Sequence, residues 1–141
     1  MRLPQIVIDT NIIVAGLRPR DGYAFDLLAL VGAGQFDINL SVPLVLEYEA
    51  VLYRELPKLQ VSRGVVDAVI NYHCRVGRHH SIFFLWRPFL RDAKDDMVLE
   101  LAVKARCDYI VTYNVRDFHG IEQFGLRTID PRTFLQSIGV I

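Results

Sequence analysis

The sequence predicts an α/β protein, a three-layer α/β/α sandwich around a central, mostly parallel sheet. Three observations carry that expectation. Ile6-Val7-Ile8 is a continuously apolar, β-branched run that stops at Asp9-Thr10-Asn11, and a second apolar run, Ile12 to Leu17, follows at once. Uniform apolarity, in place of alternation, reads as a strand buried on both faces. Segments of strand character then alternate with segments of helical period, as in a parallel βα sheet. Finally, Asp9 stands at the carboxyl end of a buried strand, where open α/β sheets place their ligands.

The elements follow in order. After the first strand, Thr10 or Asn11 supplies an N-cap oxygen for a helix through the second apolar run. Arg18 to Gly22 is a polar turn. Phe25, Leu28 and Val31 recur at helical intervals between Tyr23 and Val31, and Gly32 with Gly34 ends that helix. Phe36 to Leu40 alternates and predicts a short strand. Ser41 caps a helix with Pro43 in its first turn, running to about Arg54 before Pro57 closes the region. Val65, Val66, Val69, Ile70 and His73 mark the next helix, ended by Gly77. Ser81 to Trp86 is apolar and reads as a strand, interrupted by Pro88. Lys94 to Arg106 carries Val98, Leu99, Ala102 and Ala105 on one face. Tyr109 to Thr112 predicts a second buried strand, Arg127 to Ile129 a third or edge strand, and Asp130-Pro131 a last helix.

No linker, repeat or low-complexity stretch divides the 141 residues, so residues 1–141 are read as one domain. Hydrophobic residues make up 52%, and the mean hydropathy is +0.25. A sheet covered on both faces and an apolar surface kept for a partner, either a second copy in a homodimer or a partner protein's amphipathic helix in a groove, both follow. No apolar run approaches the ~18 residues of a membrane span and no signal-peptide pattern opens the chain, so a cytoplasmic, soluble protein is expected. Cys74 and Cys107 lack metal-binding spacing and read as reduced thiols. Sixteen basic and sixteen acidic residues cancel. Net charge therefore says nothing for nucleic acid, and any such site must rest on local clusters.

Acids stand out at four places: Asp9 at a strand end; Glu47 or Glu49 on the helix after Ser41; Asp95 with Asp96 at a helix start; and Asp117 after the Val111-Thr112 strand end. Singly, each has an ordinary explanation as a dipole-compensating, solvated or turn residue. Asp9 is the exception, since an acid in so apolar a stretch must be paired or ligated. Parallel strands would bring Asp9 and Thr112 to one sheet edge. Several carboxylates gathered there repel one another unless a cation neutralises them, and an all-oxygen donor set suits Mg²⁺ or Mn²⁺.

In this order the blocks resemble a PIN domain. Val7-Ile8-Asp9-Thr10-Asn11 matches the family's strand ending. Ser41 through Glu47-Tyr48 to Val51-Leu52 matches its helical Glu, and Asp92, Asp95, Asp96, Leu99 and Ala102 its acidic helix start. Val111 to Phe118 matches its last block. The branch most resembled is that of VapC-like toxins of bacterial and archaeal toxin–antitoxin pairs. The resemblance implies a PIN-like fold and a Mg²⁺- or Mn²⁺-dependent ribonuclease that leaves 5′-phosphate and 3′-hydroxyl ends. It implies catalytic Asp9, Glu47, Asp95 and Asp117, support from Thr10, Asn11, Asp96, Thr112 and Asn114, and metal contacts from Asp9, Asp95, Asp96 and Asp117. It further implies an antitoxin partner that occludes the site. The choices of Glu47 over Glu49 and Asp95 over Asp96 rest on the family pattern. Many relatives carry Asp where Asn114 stands, so the fourth acid is Asp117 or is missing.

Arg18 and Arg20, and Arg87 with Arg91, are weak candidates for RNA phosphates. Tyr113 could stack a base, although packing is the ordinary role of a tyrosine there. Two rival readings stand beside this one. A phosphoryl-transfer enzyme with an aspartyl nucleophile needs an Asp-x-Asp or a strand-end lysine, and neither is present. A non-catalytic RNA- or protein-binding module rests on the neutral Asn114.

Overall fold

The computed structural model describes residues 2–18, 22–82 and 89–141. Its elements run β1 (Gln5–Ile8), α1 (Thr10–Gly16), α2 (Tyr23–Ala29), β2 (Asp37–Leu40), α3 (Val42–Arg54), α4 (Arg63–Val76), β3 (Arg78–His79), α5 (Ala93–Lys104), β4 (Tyr109–Val111), β5 (Arg127–Ile129) and α6 (Pro131–Ser137). Short 3₁₀ turns occupy Leu56–Lys58, Val115–Phe118 and Ile121–Phe124. The sheet order is β3-β2-β1-β4-β5, with every neighbouring pair parallel. Ile8 lies opposite Val111, and Val111 opposite Ile129, so the ends of β1, β4 and β5 are level.

β1 is central, and all four of its residues are buried. Burial of alternate residues on opposite faces requires cover on both sides. α5 packs on β1, β2 and β4, α1 packs on α2 and α3, and α2 packs on α6. Buried apolar residues from all these elements form one cluster. Phe36 and Tyr109 meet Phe134 of α6 edge-on, with centroids 5.3 and 5.9 Å apart. T-shaped contacts of this kind add to the area the rings bury.

The polar residues inside the sheet are satisfied. Gln5 donates to Asp37 Oδ2 at 2.8 Å, and Asn39 donates to Gln5 Oε1 at 3.1 Å and to the Ile6 carbonyl at 3.2 Å. His80 Nε2 lies 2.8 Å from Asn39 Oδ1. The alternation from Phe36 to Leu40 thus marks a strand without an exposed face, because Asn39 is buried and hydrogen-bonded.

Several expected boundaries move. Asp9, extended at φ −67° and ψ 150°, caps α1 through its own carboxylate, so Thr10 is already the first helical residue. α2 ends at Ala29, ahead of the two glycines. Of the strand expected at 81–86, residues 83–86 lie outside the described residues, and Ser81 and Ile82 have no regular structure. Among the described residues the edge strand is β3, a two-residue charged and exposed pair, which lacks the apolar signature of a buried strand. Gly77, just before it, allows a close approach: a Cβ there would lie 2.8 Å from the His73 carbonyl oxygen. Among the described residues, no helix is long and apolar enough to cross a membrane.

Candidate active site

The carboxyl ends of β1 and β4 open into a cavity of about 450 Å³. Asp9 follows β1 directly. Its backbone N–H donates to the Val111 carbonyl at 2.9 Å, which continues the β1–β4 ladder by one residue. Its carboxylate is 6% exposed and engaged on both oxygens. Oδ1 accepts the Thr10 N–H at 2.9 Å, and Oδ2 accepts Thr112 Oγ1 at 2.8 Å and Asn11 Nδ2 at 3.2 Å. The Thr112 hydroxyl also accepts from Asn11 Nδ2 at 3.2 Å and from the Asn114 N–H at 3.0 Å. These bonds fix the Asp9 rotamer before anything binds.

Ser41 caps α3, accepting the Leu44 N–H, and the helix brings Glu47 to the cavity wall. Thr10 Oγ1 donates to Glu47 Oε2 at 2.7 Å. One residue on, the buried Tyr48 donates its hydroxyl to the Ile8 carbonyl and so pins α3 to the end of β1. Asp92 caps α5, and the first turn of that helix presents Asp95 to the same cavity. The 3₁₀ turn after β4 supplies Asp117, whose N–H donates to the Asn114 carbonyl at 3.0 Å.

The structure therefore brings Asp9, Thr10, Asn11, Glu47, Asp95, Asn114 and Asp117 to one cavity, with Thr112 buried beneath Asp9. Arg18 lies on its rim. Glu49 is exposed and lies off this wall. Asp96 is engaged elsewhere. Its Oδ1 accepts the Phe89 and Leu90 N–H groups at 3.1 and 2.7 Å, tying the preceding segment to α5. Arg91 borders an adjoining depression that shares Asp92, Asp95 and Asp117. Arg20 and Arg87 lie outside the described residues.

Sequence reasoning passed over Glu55, Asp92 and Lys94 as wall residues. Lys94 Nζ is 3.9 Å from Glu47 Oε1, a loose contact between an exposed lysine and a largely covered carboxylate, at the outer limit of an ion pair. Its position between Asp92 and Asp95 is the available signal.

The acids perturb one another. Burial raises the Asp9 carboxyl, opposed by the hydrogen bonds from Thr112 and Thr10 and reinforced by the charges of Glu47 and Asp117. Asp95 is pushed up to about 7, first by burial and then by Asp9, Asp117, Asp92 and Glu47. Burial, with Asp9 and Glu47 nearby, holds the Tyr48 phenol well above its ordinary value. Carboxyls raised by burial and by one another's charge are the condition that a bound cation relieves.

Among the described residues, no three His, Cys, Asp or Glu side chains form a compact ligand cluster. The donor set nevertheless suits Mg²⁺, which takes oxygen ligands, keeps several waters and is bound by one or two carboxylates.

Fold and site together define a parallel α/β protein with a carboxylate-lined cavity at the carboxyl edge of its sheet. The family model for the PIN domain matches residues 5–116, and the chain belongs to that family. A chain of the crystal structure of VapBC2 from Rickettsia felis, bound to a DNA fragment from their promoter, shares the fold. It superposes with a TM-score of 0.60 at 13% identity, over 89% of this chain and 99% of that one. No curated protein matches the sequence.

Proposed function

We propose that this PIN-domain protein is a nuclease that hydrolyses RNA phosphodiester bonds with Mg²⁺ or Mn²⁺, and that it is the toxin of a toxin–antitoxin pair. The observation that carries the proposal is the buried Asp9, oriented by Thr112 and Thr10, with Asp95 raised to about 7 by burial and by the acids around it. Membership of the PIN family and the fold shared with a chain of a VapBC2 structure support it. The protein acts as a single domain in the cytoplasm, forms a homodimer, and is held inactive by a cognate antitoxin.

Asp9 and Asp95 would hold the ion, with Asp117 on the same cavity wall able to complete a second position. Asp96, occupied with the backbone of Phe89 and Leu90, is left outside the set. Bound there, the ion would supply Lewis acidity, compensating phosphoryl charge and lowering the pKa of a water. Glu47, held by Thr10, would orient the attacking water and accept its proton. Thr112 and Asn11 keep Asp9 in one rotamer, so that no reorganisation is needed as charge develops. The neutral Asn114 on the cavity wall favours a second reading, a PIN module that binds RNA or protein without cutting.

The test is a mixed RNA pool incubated with partner-free protein in Mg²⁺, in Mn²⁺ and in EDTA. Cleavage confined to the metal-containing samples supports the nuclease. Binding of RNA without cleavage in any of them supports the second reading.

A further inference from the structure

We propose that Tyr113 is the platform on which an unpaired nucleobase beside the scissile phosphate stacks. This rests on the ribonuclease reading and adds how its substrate is held. Tyr113 lies between Thr112, which supports Asp9, and Asn114, on the same cavity wall. Thr112 is fully buried, whereas Tyr113 is 50% exposed. The backbone fixes this outward register: the Tyr113 N–H donates to Asn11 Oδ1 at 3.3 Å and the Asn114 N–H to Thr112 Oγ1 at 3.0 Å. Among the described residues, the ring makes no aromatic contact and its hydroxyl no hydrogen bond. Tyr113 also borders a second depression of about 390 Å³, lined by Asn114, Val115, Arg116 and Asp117. A large aromatic half exposed at the mouth of a polar cavity, with no ring against it among the described residues, can take a flat ligand on its open face.

The electrostatics point the same way. Six carboxylates line the acid cavity against Arg18 and Lys94, and Lys94 already faces Glu47. The chain as a whole has no net charge. Among the described residues lining this cavity, cations for the phosphate contacts that usually dominate nucleic-acid affinity are few. Base–aromatic stacking supplies affinity that does not depend on positive charge, and it is open to any base because each has a π face. A perfect duplex keeps its bases stacked internally, out of reach of a ring at the rim.

The test is equilibrium binding by fluorescence anisotropy, using the full chain with Ca²⁺ in place of Mg²⁺ and RNA integrity checked after each titration. The probes are a 5′-labelled single-stranded RNA and the same strand in a perfect duplex, each with wild type, Tyr113→Phe and Tyr113→Ala. Wild type and Tyr113→Phe should bind the single strand within about twofold of each other, and Tyr113→Ala about tenfold more weakly. All three should bind the duplex equally weakly. If wild type and Tyr113→Ala bind the single strand equally, the stacking proposal is overturned and the ribonuclease reading stands. If Tyr113→Phe loses as much as Tyr113→Ala, the hydroxyl and not the ring is responsible, and stacking is again overturned. If wild type binds neither RNA, the ribonuclease reading itself fails. Circular-dichroism melts should superimpose, because the substituted ring is exposed.

Discussion

Thr112 Oγ1 donates to Asp9 Oδ2 at 2.8 Å, joining the ends of two adjacent parallel strands through a buried hydroxyl and a buried carboxylate. The same hydroxyl accepts the Asn114 N–H and Asn11 Nδ2. Thr112→Val keeps the shape but leaves the Asn114 N–H without this acceptor and Asp9 Oδ2 with Asn11 Nδ2 alone. A loss of about 1–3 kcal/mol is expected from urea unfolding, since buried polar groups left unpaired bear their full desolvation cost. Thr112→Ser should retain most of that stability. The Asp9 carboxyl should rise further in the valine variant, having lost the largest influence that lowers it.

The raised acids set a pH dependence for the metal-free protein. Asp95 moves from an ordinary value of 3.8 to about 7 in the folded chain. Between those values the folded chain binds more protons than the unfolded one, so stability falls as pH rises through the window. Below it both states are protonated and the penalty vanishes; above it the penalty is complete. Thermal melts in EDTA should therefore show Tm declining from about pH 4 to pH 7. Asp95→Asn should flatten the decline and melt higher than wild type at pH 8.

A cation reverses that penalty. Mn²⁺ should raise Tm at pH 8 and do so far less at pH 5, where protons compete with the ion for the carboxylates. Asp9→Asn and Asp95→Asn should each reduce the shift, whereas Asp96→Asn should leave it nearly intact. An equal shift in all three variants would move the binding site elsewhere.

Glu47 and Glu49 make a matched pair on α3, one facing the cavity and the other exposed away from it. Glu47→Gln should lower kcat/KM for RNA by about 10²–10⁴, the range of a positioned general base. Glu49→Gln should stay within about twofold of wild type. The contrast is read from cleavage kinetics on one substrate, with both variants checked for folding.

The legible parts of the sequence were those governed by strong local signals. Uniform apolarity in Ile6-Val7-Ile8 marked a two-faced buried strand, and Ser41 with Pro43 marked the start of α3. The juxtaposition of Asp9 with Thr112 followed from parallel order once both strand ends were recognised. Signals failed where tertiary contacts decide. Asn39 looked like the solvent side of an alternating strand because its partners, Gln5, the Ile6 carbonyl and His80, are distant in sequence. β3 has no apolar residue to announce it and exists because β2 offers it an edge. Asp95 and Asp96 share a helical turn, and composition alone could not separate them. Their different surroundings depend on Phe89 and Leu90, whose N–H groups take Asp96. Glu47 over Glu49 was likewise beyond the helical wheel, since the cavity wall is built by residues from other elements, α1 and α5 among them.

The most direct test of the central claim compares RNA cleavage by wild type and Asp9→Asn in Mn²⁺, purified identically and both confirmed as folded. The account predicts metal-dependent cleavage by wild type and a loss of at least about a hundredfold in the variant, because the substitution removes a charge from the centre of the site. Equal cleavage by the two proteins, or cleavage that persists in EDTA, would contradict it.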